Sequence, residues 1–432
     1  MAGPAHAARR LPPWPLLGLF WTFPLSWVLG LGAFLSPLWG AVMAAYLILR
    51  RDVRFPAAMA LWGLFLVIVL ASGLMLDSPV RMLGSLFRFG NYAGATAAFL
   101  YVYNSAEDTL SDRRVAAAMV AFWMWVVLGG YLGVLVPHGS LTTPMERVMP
   151  GALLDNELVR EWVHPSFAEL QQPWGSPTAF ARPSAPFAYT NGWGNNFAIL
   201  MPFVVAMVGT SRGRHRLLLA LALVASAVPA VATLNRGMFI ALGVALAYTM
   251  LRLALRGRVG PLLSLVVVIV VGGTALVHAG ALERIQLRTT HSSTNLGRVT
   301  VYQETFDRTL SSPLLGWGGP RPSRTLNISV GTQGHVWNVM FSHGFVALAF
   351  FVVTLVWLAW RTRRCTQLGF AAHVTLVTVV VAITYYGFDG PQMLVALTAA
   401  ALAMRQVDQG PRRRPAAIRG RASVTASPLA TA

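Results

Sequence analysis

The feature that most constrains this chain is a succession of long apolar runs, each bounded by arginines or by turn residues. A run of about 20 apolar residues crosses the hydrocarbon core of a bilayer as an α-helix, because a helix satisfies its own backbone hydrogen bonds there. The chain is 55% hydrophobic and only 11% charged, which excludes a soluble domain with an ordinary charged surface. We therefore predict an all-α, polytopic integral membrane protein.

The apolar runs predict about twelve membrane-spanning helices with both termini on the cytoplasmic side. Every turn on that side carries arginine, and most of the 34 basic residues, all of them arginine, lie there. The first run follows Arg9 and Arg10 without a cleavage site of small residues, so we expect a retained helix rather than a removed signal peptide. The predicted spans are 14–30, 33–49, 55–75, 82–103, 115–136, 194–210, 217–234, 237–251, 262–281, 337–360, 368–387 and 391–404.

This layout divides the chain into six regions. Loops as long as the two outer ones are more often functional than connective. The basic tail follows a span and lacks interleaved aromatic residues, so we expect it to meet membrane lipids and no nucleic acid. The regions are the first five helices (1–136), a first long outer loop (137–193), helices six to nine (194–281), a second long outer loop (282–336), the last three helices (337–404) and a basic cytoplasmic tail (405–432).

The second outer loop contains a predicted amphipathic helix that begins near residues 293–295, which offer an N-cap, and ends before Pro313. Its apolar positions at helical spacing are Val299, Tyr302, Phe306 and Leu310. Such a helix lies on a membrane or over a cavity. Arg298 falls in its first turn, where the helix dipole disfavours a cation and favours an anion, so it is a candidate anion-binding residue.

Signatures of several enzyme classes are missing from the sequence. It contains no Walker sequence, no Ser-His-Asp order and no metal-ligand spacing of His or Asp residues, and its single cysteine, Cys365, excludes an internal disulfide. We therefore predict no metal and no other cofactor. Ionisable residues inside the predicted spans are few, which disfavours an ion-coupled transporter. The main ones are Arg88, His278, His343 and His373.

The arginines away from the cytoplasmic side are candidate anion-binding residues. There are twelve of them, so we expect something anionic to meet several. A guanidinium group binds phosphate in a bidentate manner and stays charged in a low dielectric, so a pyrophosphate at the membrane surface is a suitable partner. The main candidates are Arg236, Arg182 and Arg298, each with a solvated or snorkelling cation as the alternative. Arg88 lies inside a span, either as a partner of backbone carbonyls or as part of the same anion site.

His335 is the candidate catalytic residue, because it lies at the seam between the second outer loop and the span 337–360. A histidine at a membrane edge can accept a proton from a sugar hydroxyl near neutral pH, although an isolated histidine is more often structural. The stretch 180–196 carries aromatic rings and amides that suit sugar rings or, alternatively, form an interfacial belt. The supporting candidates are Tyr302, Asn338 and Asn191.

Three parts of the sequence resemble the O-antigen ligase and polymerase family of membrane glycosyltransferases. Residues 298–302 followed by 312–318 are similar to an Arg-x-x-x-aromatic segment that leads into Pro-Leu-Leu-Gly-x-Gly. Residues 235–242 are similar to the family's helix led by Ser-Arg-Gly, with Asn in place of Ser. Residues 335–344 resemble the segment in which a His precedes a helix carrying a glycine, but Ala347 replaces the second glycine of the family, and His343 is a competing histidine.

The resemblance implies an enzyme of the bacterial inner membrane with its site on the periplasmic side. It implies an inverting, metal-independent transfer of polysaccharide from undecaprenyl diphosphate to a hydroxyl of lipid A-core, which are the expected partners. On this reading Arg236, Arg298 and Arg182 hold the pyrophosphate, and His335 activates or orients the acceptor hydroxyl. An O-antigen polymerase and a pilin-glycan ligase are the alternatives within the family, and a lipid-linked oligosaccharide flippase or other transporter is the alternative outside it.

Overall fold

The computed structural model describes residues 10–50, 52–172, 179–264, 266, 274, 294–326 and 328–409, without the side chains of residues 294–298. The described residues are mostly helical. Two short antiparallel strand pairs, which the all-α prediction did not include, lie in the two long loops. Each strand depends on a partner elsewhere in its loop, so hydropathy along the chain does not reveal it.

We number the helices in chain order, and three short segments among them belong to the first long loop. Their bounds are Trp14–Trp21 (α1), Phe23–Val28 (α2), Leu35–Arg50 (α3), Ala58–Ala71 (α4), Pro79–Asn104 (α5), Asp112–Leu135 (α6), Pro144–Val148 (α7), Gly151–Leu154 (α8), Glu157–Val163 (α9), Thr190–Thr210 (α10), Gly213–Ala225 (α11), Ala227–Ala232 (α12), Arg236–Leu255 (α13), Thr294–Leu310 (α14), His335–Arg361 (α15), Gln367–Ala382 (α16) and Pro391–Gln409 (α17). The strands are Ala168–Gln171 (β1), Phe180–Pro183 (β2), Arg321–Pro322 (β3) and Ser329–Val330 (β4), paired β1 with β2 and β3 with β4.

Seven helical segments of the described residues are long and apolar enough to cross a membrane. They are Gly32–Arg50, Ala58–Met75, Asp112–Leu135, Thr190–Thr210, Gly213–Ala232, Arg236–Leu255 and His335–Arg361. Helix α16 is apolar but shorter. The prediction of a multi-pass membrane protein is thus supported, whereas the count of twelve stays a prediction, because the predicted span 262–281 falls largely outside the described residues.

The first predicted span, 14–30, is two short helices rather than one. Helix α1 ends at Trp21 and α2 begins at Phe23, with Pro24 near its start. Proline has no N–H to donate to the preceding turn and disfavours helical backbone in the residue before it. The apolar run therefore continues through a break that hydropathy does not detect.

Helix α17 lies at the centre of the bundle. It packs against α5, α16 and α10, and its residues from Pro391 to Arg405 are all buried. Arg405, which we predicted as the first residue of the basic cytoplasmic tail, belongs to this helix, and residues 410–432 lie outside the described part. Its guanidinium pairs with Asp112 and donates to the Leu110 carbonyl at 2.8 Å, which explains why a charged side chain is buried there.

Helix α14 occupies the position where the amphipathic pattern predicts a helix, but three of the four residues of its apolar stripe are exposed. The side chains that pack inward are Val301, Thr305 and Thr309, whereas Val299, Phe306 and Leu310 are exposed. Hydroxyl groups of threonine can bury inside a helix because they bond to the carbonyl four residues earlier, as Thr305 does to Val301. An exposed apolar face is the arrangement expected of a helix lying on a membrane.

Candidate functional site

The segment 383–390 between α16 and α17 connects several predicted site residues. The Tyr386 carbonyl accepts the backbone N–H of His335 at 2.8 Å, and the Tyr386 hydroxyl donates to Asn235 Oδ1 at 2.5 Å. The backbone N–H of Phe388 donates to His335 Nδ1 at 3.1 Å. This one segment therefore holds the first turn of α13 and the first turn of α15 in a common structure.

His335 is fully buried at the first residue of α15, and both of its ring nitrogens have partners. Because Nδ1 accepts from Phe388, the proton of a neutral ring is on Nε2, which lies 2.8 Å from the Tyr92 hydroxyl. The nearest acid is Asp389, whose Oδ1 lies 4.0 Å from His335 Nδ1 and whose side chain is 53% exposed. The group that an incoming molecule would meet first is thus the Asp389 carboxylate.

Arg88 reaches the same cluster from α5. Its guanidinium interacts electrostatically with Asp389 and Tyr92. A Cβ atom added to Gly319 of the second long loop would lie 2.6 Å from Arg88 Nη2, so this glycine lets the guanidinium approach the loop backbone closely. Arg88 Nε is buried and has no hydrogen-bond partner among the described residues. The structure therefore places Arg88 beside His335, where the sequence left its role open.

Arg182 joins the first long loop to the hairpin that precedes α13. It lies in β2 and is buried, with Nε donating to the Thr233 carbonyl at 2.8 Å and Nη1 donating to Gln171 Oε1 at 2.9 Å. Glu169 Oε1 lies 3.9 Å from Nη1. The predicted candidate is therefore held in place by three groups of the chain.

Arg236 is the first residue of α13, two residues beyond the end of that hairpin's turn. Its half-buried side chain has no hydrogen bond or ion pair with any of the described residues. Burial lowers the pKa of Arg182, Glu169 opposes that change, and the like charge of Arg236 lowers it further. The two guanidinium groups are thus close enough to repel each other, and an anion between them would relieve the repulsion.

The other predicted residues lie around this cluster or outside the described part. The backbone of Arg298 lies in α14, but its side chain is outside the described residues. Tyr302 stacks on Trp337 with ring centroids 4.2 Å apart, which packs α14 onto the start of α15. Asn338 is buried, and its Oδ1 has no partner among the residues that the structure describes. Asn191 is exposed in the first turn of α10.

A break in α15 receives the glycine-containing turn of the second long loop, residues 313–318. The break is at Gly344, with φ of 83° and ψ of 177°. Two carbonyls that lose their helical partners there, on Phe341 and Ser342, accept the backbone N–H groups of Trp317 and Gly318 at 2.9 and 2.8 Å. The family-like turn therefore completes the backbone hydrogen bonds of the broken helix.

His343 lies at this break, one residue before Gly344, and is fully buried. Its Nδ1 is 2.6 Å from the Ser72 hydroxyl, and the aromatic ring of Phe65 packs edge-on against it. Its Nε2 has no partner in the described part of the chain. The competing histidine is therefore enclosed by packing, more than two helical turns from His335 along α15.

Three of the twelve arginines that we predicted away from the cytoplasmic side are paired with acids of the chain itself. Arg321 and Arg81 both bind Asp77, with shortest distances of 2.6 and 2.7 Å. Arg308 binds Glu304 at 3.1 Å. Hydropathy and charge counts cannot distinguish such internal pairs from free cations, because the partners meet only in the folded chain.

Tyr92, Tyr386 and Asp389 are site residues that no motif in the sequence indicated. Asp389 carries the clearest signal, since it is an acid between two glycines at the turn that separates the last two predicted spans. Tyr92 and His335 are 243 positions apart, and no local pattern connects them. Packing of α5, α15 and the segment 383–390 brings these three residues together.

Comparisons with known proteins address the family directly. The chain is 29% identical over 192 residues to an Apolipoprotein N-acyltransferase of Methylococcus capsulatus, an alignment that covers 42% of this chain and 38% of that protein. The chain thus spans well under half the length of this curated relative. Residues 221–341 match the model of a family described as O-Antigen ligase, and they include Arg236, Arg298 and His335. This match confirms the resemblance to the O-antigen ligase family over residues 221–341.

Proposed function

We propose that this protein is an O-antigen ligase, which transfers polysaccharide from undecaprenyl diphosphate to a hydroxyl of lipid A-core on the periplasmic side of the inner membrane. The observation that carries the proposal is a connected path that joins two residues of the family-matched region, Arg236 and His335, through Tyr386. Arg236 follows Asn235, which accepts from Tyr386, and Tyr386 in turn accepts from His335. Arg236 marks one end of this path, the cationic end, and His335 with Asp389 marks the other, the acid–histidine end. A transfer from a diphosphate to a hydroxyl uses a cation at the leaving group and a base at the hydroxyl.

The cationic end would hold the donor. Arg236, Arg182 and Arg298 are assigned to the two phosphate groups, where their forks of donors stabilise the charge that grows on the leaving oxygen. The repulsion between Arg236 and Arg182 supports an anionic ligand. Arginines in this role would replace a divalent cation, so purified protein with both lipid substrates should stay active in excess EDTA. Loss of activity that magnesium restores would contradict this assignment.

The acid–histidine end would receive the acceptor. A hydroxyl of lipid A-core approaches the exposed Asp389 carboxylate, which takes up the hydroxyl proton. The proton then passes to His335 Nδ1, 4.0 Å away, as that nitrogen gives up its hydrogen bond from the Phe388 N–H. The acceptor oxygen bonds to the anomeric carbon as the bond from that carbon to the phosphate oxygen breaks. A single displacement of this kind inverts the anomeric configuration. Tyr92 and the Phe388 N–H hold the His335 ring in orientation.

The alternative functions are two other enzymes of the same family and a transporter, and one experiment distinguishes them. An O-antigen polymerase or a pilin-glycan ligase would use the same donor with a different acceptor, and a flippase would move the donor without cleaving it. Surface polysaccharide from a deletion strain should contain free core and accumulated lipid-linked polymer if the protein is the ligase. Core carrying one repeat would indicate a polymerase. Loss of glycan from pilin alone, or donor retained on the cytoplasmic side, would overturn the ligase assignment.

The likeness to an N-acyltransferase raises acyl transfer as a further possibility, for which a cysteine thiol is one class of nucleophile. Cys365 is the single cysteine of the sequence. It is buried, its Sγ donates to the Ala403 carbonyl at 3.4 Å, and burial raises its pKa to about 12. A thiol that is neither accessible nor ionised is a poor nucleophile, so these observations give the cysteine route no support.

A further inference from the structure

The first long loop contains a serine, a histidine and a glutamate in hydrogen-bonded series. His164 Nε2 lies 3.0 Å from the Ser140 hydroxyl, and His164 Nδ1 lies 2.8 Å from Glu146 Oε2. A carboxylate can only accept, so Nδ1 carries the proton and Nε2 of the neutral ring accepts from the Ser140 O–H. This is the geometry of an activated nucleophile, a general base and a residue that orients the base. The spacing matches no sequence motif for such a set, and the sequence alone did not indicate it.

Backbone hydrogen bonds hold the three residues together. Ser140 forms an isolated antiparallel bridge with Ser166, which fixes it beside the end of α9, where His164 is the C-cap. Glu146 lies in the first turn of α7, and the N-cap of that helix is Thr143. Thr143 also donates to the Val163 carbonyl at 2.5 Å and so ties α7 to α9. Backbone hydrogen bonds therefore fix the positions of all three residues, since each lies on an element with its own bonds to the rest of the loop.

The cluster is open to solvent at the nucleophile. Ser140 is exposed, and the side chains of His164 and Glu146 are 33% and 27% exposed. The Ser140 backbone N–H makes no hydrogen bond to the described residues. The two hydrogen bonds of the bridge are made instead by Leu141, which donates to the Pro165 carbonyl, and by Gly139, whose carbonyl accepts from Phe167. That N–H is available to a developing oxyanion on a carbonyl that Ser140 attacks.

The position of the cluster indicates the class of substrate. Helix α6, which is long and apolar enough to cross a membrane, ends at Leu135, five residues before Ser140. Leu135 and Val136 are 74% and 47% exposed, so an apolar surface leads to the nucleophile from the membrane side. An acyl chain or an acylated sugar held at the membrane surface would present its ester bond at this level.

We propose that Ser140, His164 and Glu146 form a second catalytic centre that hydrolyses carboxylic esters at the membrane surface. Ser140 Oγ bonds to the ester carbonyl carbon while its proton moves to His164 Nε2. The bond from that carbon to the alcohol oxygen then breaks, and the alcohol leaves with the proton from His164. Water attacks the acyl-serine by the same route in reverse, releasing the carboxylic acid and restoring the serine.

The test uses the purified full-length protein in detergent, a fluorophosphonate probe and p-nitrophenyl esters. We expect the probe to label the peptide containing Ser140, and we expect Ser140→Ala to abolish both labelling and hydrolysis. His164→Gln should lower both rates about a hundred-fold or more, since it removes the general base. Ser166→Ala is the matched control, because this serine lies in the same bridge without a histidine partner, and it should behave as wild type.

The same experiment distinguishes two classes of ester substrate. It also tests whether ester hydrolysis is independent of glycan transfer. Preference for p-nitrophenyl acetate indicates an acylated glycan, and preference for p-nitrophenyl dodecanoate indicates an acyl lipid. Ser140→Ala should keep normal glycan transfer, so failure of the ligase assignment would not affect the result. Labelling of wild type no faster than Ser140→Ala, or unchanged labelling in His164→Gln, would overturn the proposal.

Discussion

The Tyr386 hydroxyl donates a hydrogen bond of 2.5 Å to Asn235 Oδ1, joining the segment after α16 to the N-cap residue of α13. Asn235 Oδ1 also accepts the Met238 N–H as the helix cap, at 3.3 Å. The direction in which Arg236 leaves the turn therefore depends on a tyrosine whose own backbone holds His335. Arg236, the candidate anion-binding residue, and the cluster of His335 and Asp389 are in this way parts of one packed unit.

Tyr386→Phe should lower glycan transfer while leaving the protein folded. The variant loses one bond to a buried acceptor, at a cost of about 1–2 kcal/mol, and the helix cap remains. A small displacement of Arg236 can lower the rate by as much as about a hundred-fold, because the donor phosphates must be held closely. Tyr385→Phe is the control, since its hydroxyl donates to the Gly237 carbonyl at 3.2 Å without contacting Asn235. Equal transfer rates in the two purified variants would contradict this coupling.

Arg236→Lys and Arg298→Lys should each reduce transfer strongly at normal protein levels. Lysine keeps the charge but loses the fork of donors that binds phosphate in a bidentate manner. Arg324→Lys is the control, because Arg324 contacts Glu304 through its backbone N–H, which the substitution leaves in place. Transfer is measured with purified lipid-linked donor and acceptor. Near-normal rates for both Arg236→Lys and Arg298→Lys would show that these residues are solvated cations and do not bind the donor phosphates.

The sequence predicts the membrane class and the family-like segments, because hydropathy and short motifs are local properties. It does not predict the site as a unit. His335 was identifiable from its position beside a span, but its partners Tyr92 and Phe388 lie 243 and 53 positions away. Contacts at such separations depend on how helices pack, and periodicity carries no information about them.

The same limit applies to the direction of helix faces and to charge pairs. The apolar pattern of α14 predicted a helix but not that Val301 and Thr305 would face the protein while Phe306 faces outward. The sequence identifies the twelve outer arginines, but it does not predict that Arg321 and Arg81 both bind one acid, Asp77. Patterns along the sequence therefore predict where helices form, whereas the residues that those helices contact are known only from the fold.

Glu304→Gln should destabilise the second long loop at neutral pH and much less in acid. Burial opposes ionisation, but hydrogen bonds from the Ser323 hydroxyl, the Arg324 N–H and the Arg308 guanidinium hold the pKa of Glu304 below its usual 4.5. The carboxylate therefore stabilises the fold above about pH 4.5, and this contribution is lost as the pH falls through the folded pKa. We expect the Tm of the variant to lie below wild type at pH 7 and to approach it as the pH falls through the folded pKa of Glu304. Asp307→Asn is the control on the same helix, and it is exposed. A Tm difference for Glu304→Gln that is independent of pH would contradict the assignment.

His335→Ala should abolish the polysaccharide ladder on lipopolysaccharide gels, whereas His343→Ala should retain it. His335 accepts from the Phe388 N–H and lies beside Asp389, while His343 is hydrogen-bonded to Ser72 and packs against Phe65. Because His335 is fully buried, its loss also leaves a cavity and an unpaired Phe388 N–H, at a cost of about 2 kcal/mol or more.

His335→Asn separates the chemical role of this histidine from the structural one. The asparagine oxygen can occupy the place of Nδ1 and accept from Phe388, so it should recover the thermal stability that His335→Ala loses. It cannot take up a proton, so transfer should stay low by about a hundred-fold or more. Recovery of both stability and the ladder would show that His335 is structural and that the acid–histidine assignment is wrong.

Gly344→Ala should prevent the turn at residues 313–318 from docking into α15. The backbone of Gly344, with φ of 83° and ψ of 177°, is in a region that other residues enter at a cost of about 1–3 kcal/mol. A Cβ atom there would also lie 2.5 Å from the Pro313 carbonyl oxygen, which is backbone and cannot move aside without shifting the turn. Gly243→Ala in α13 is the matched control, because no atom lies within 4 Å of its added Cβ and alanine favours a helix by about 1 kcal/mol. We expect a lower Tm and no ladder for Gly344→Ala, and an unchanged or higher Tm with a normal ladder for Gly243→Ala. A normal ladder in both variants would mean that the docked turn is dispensable for holding Arg88 and the second long loop beside His335.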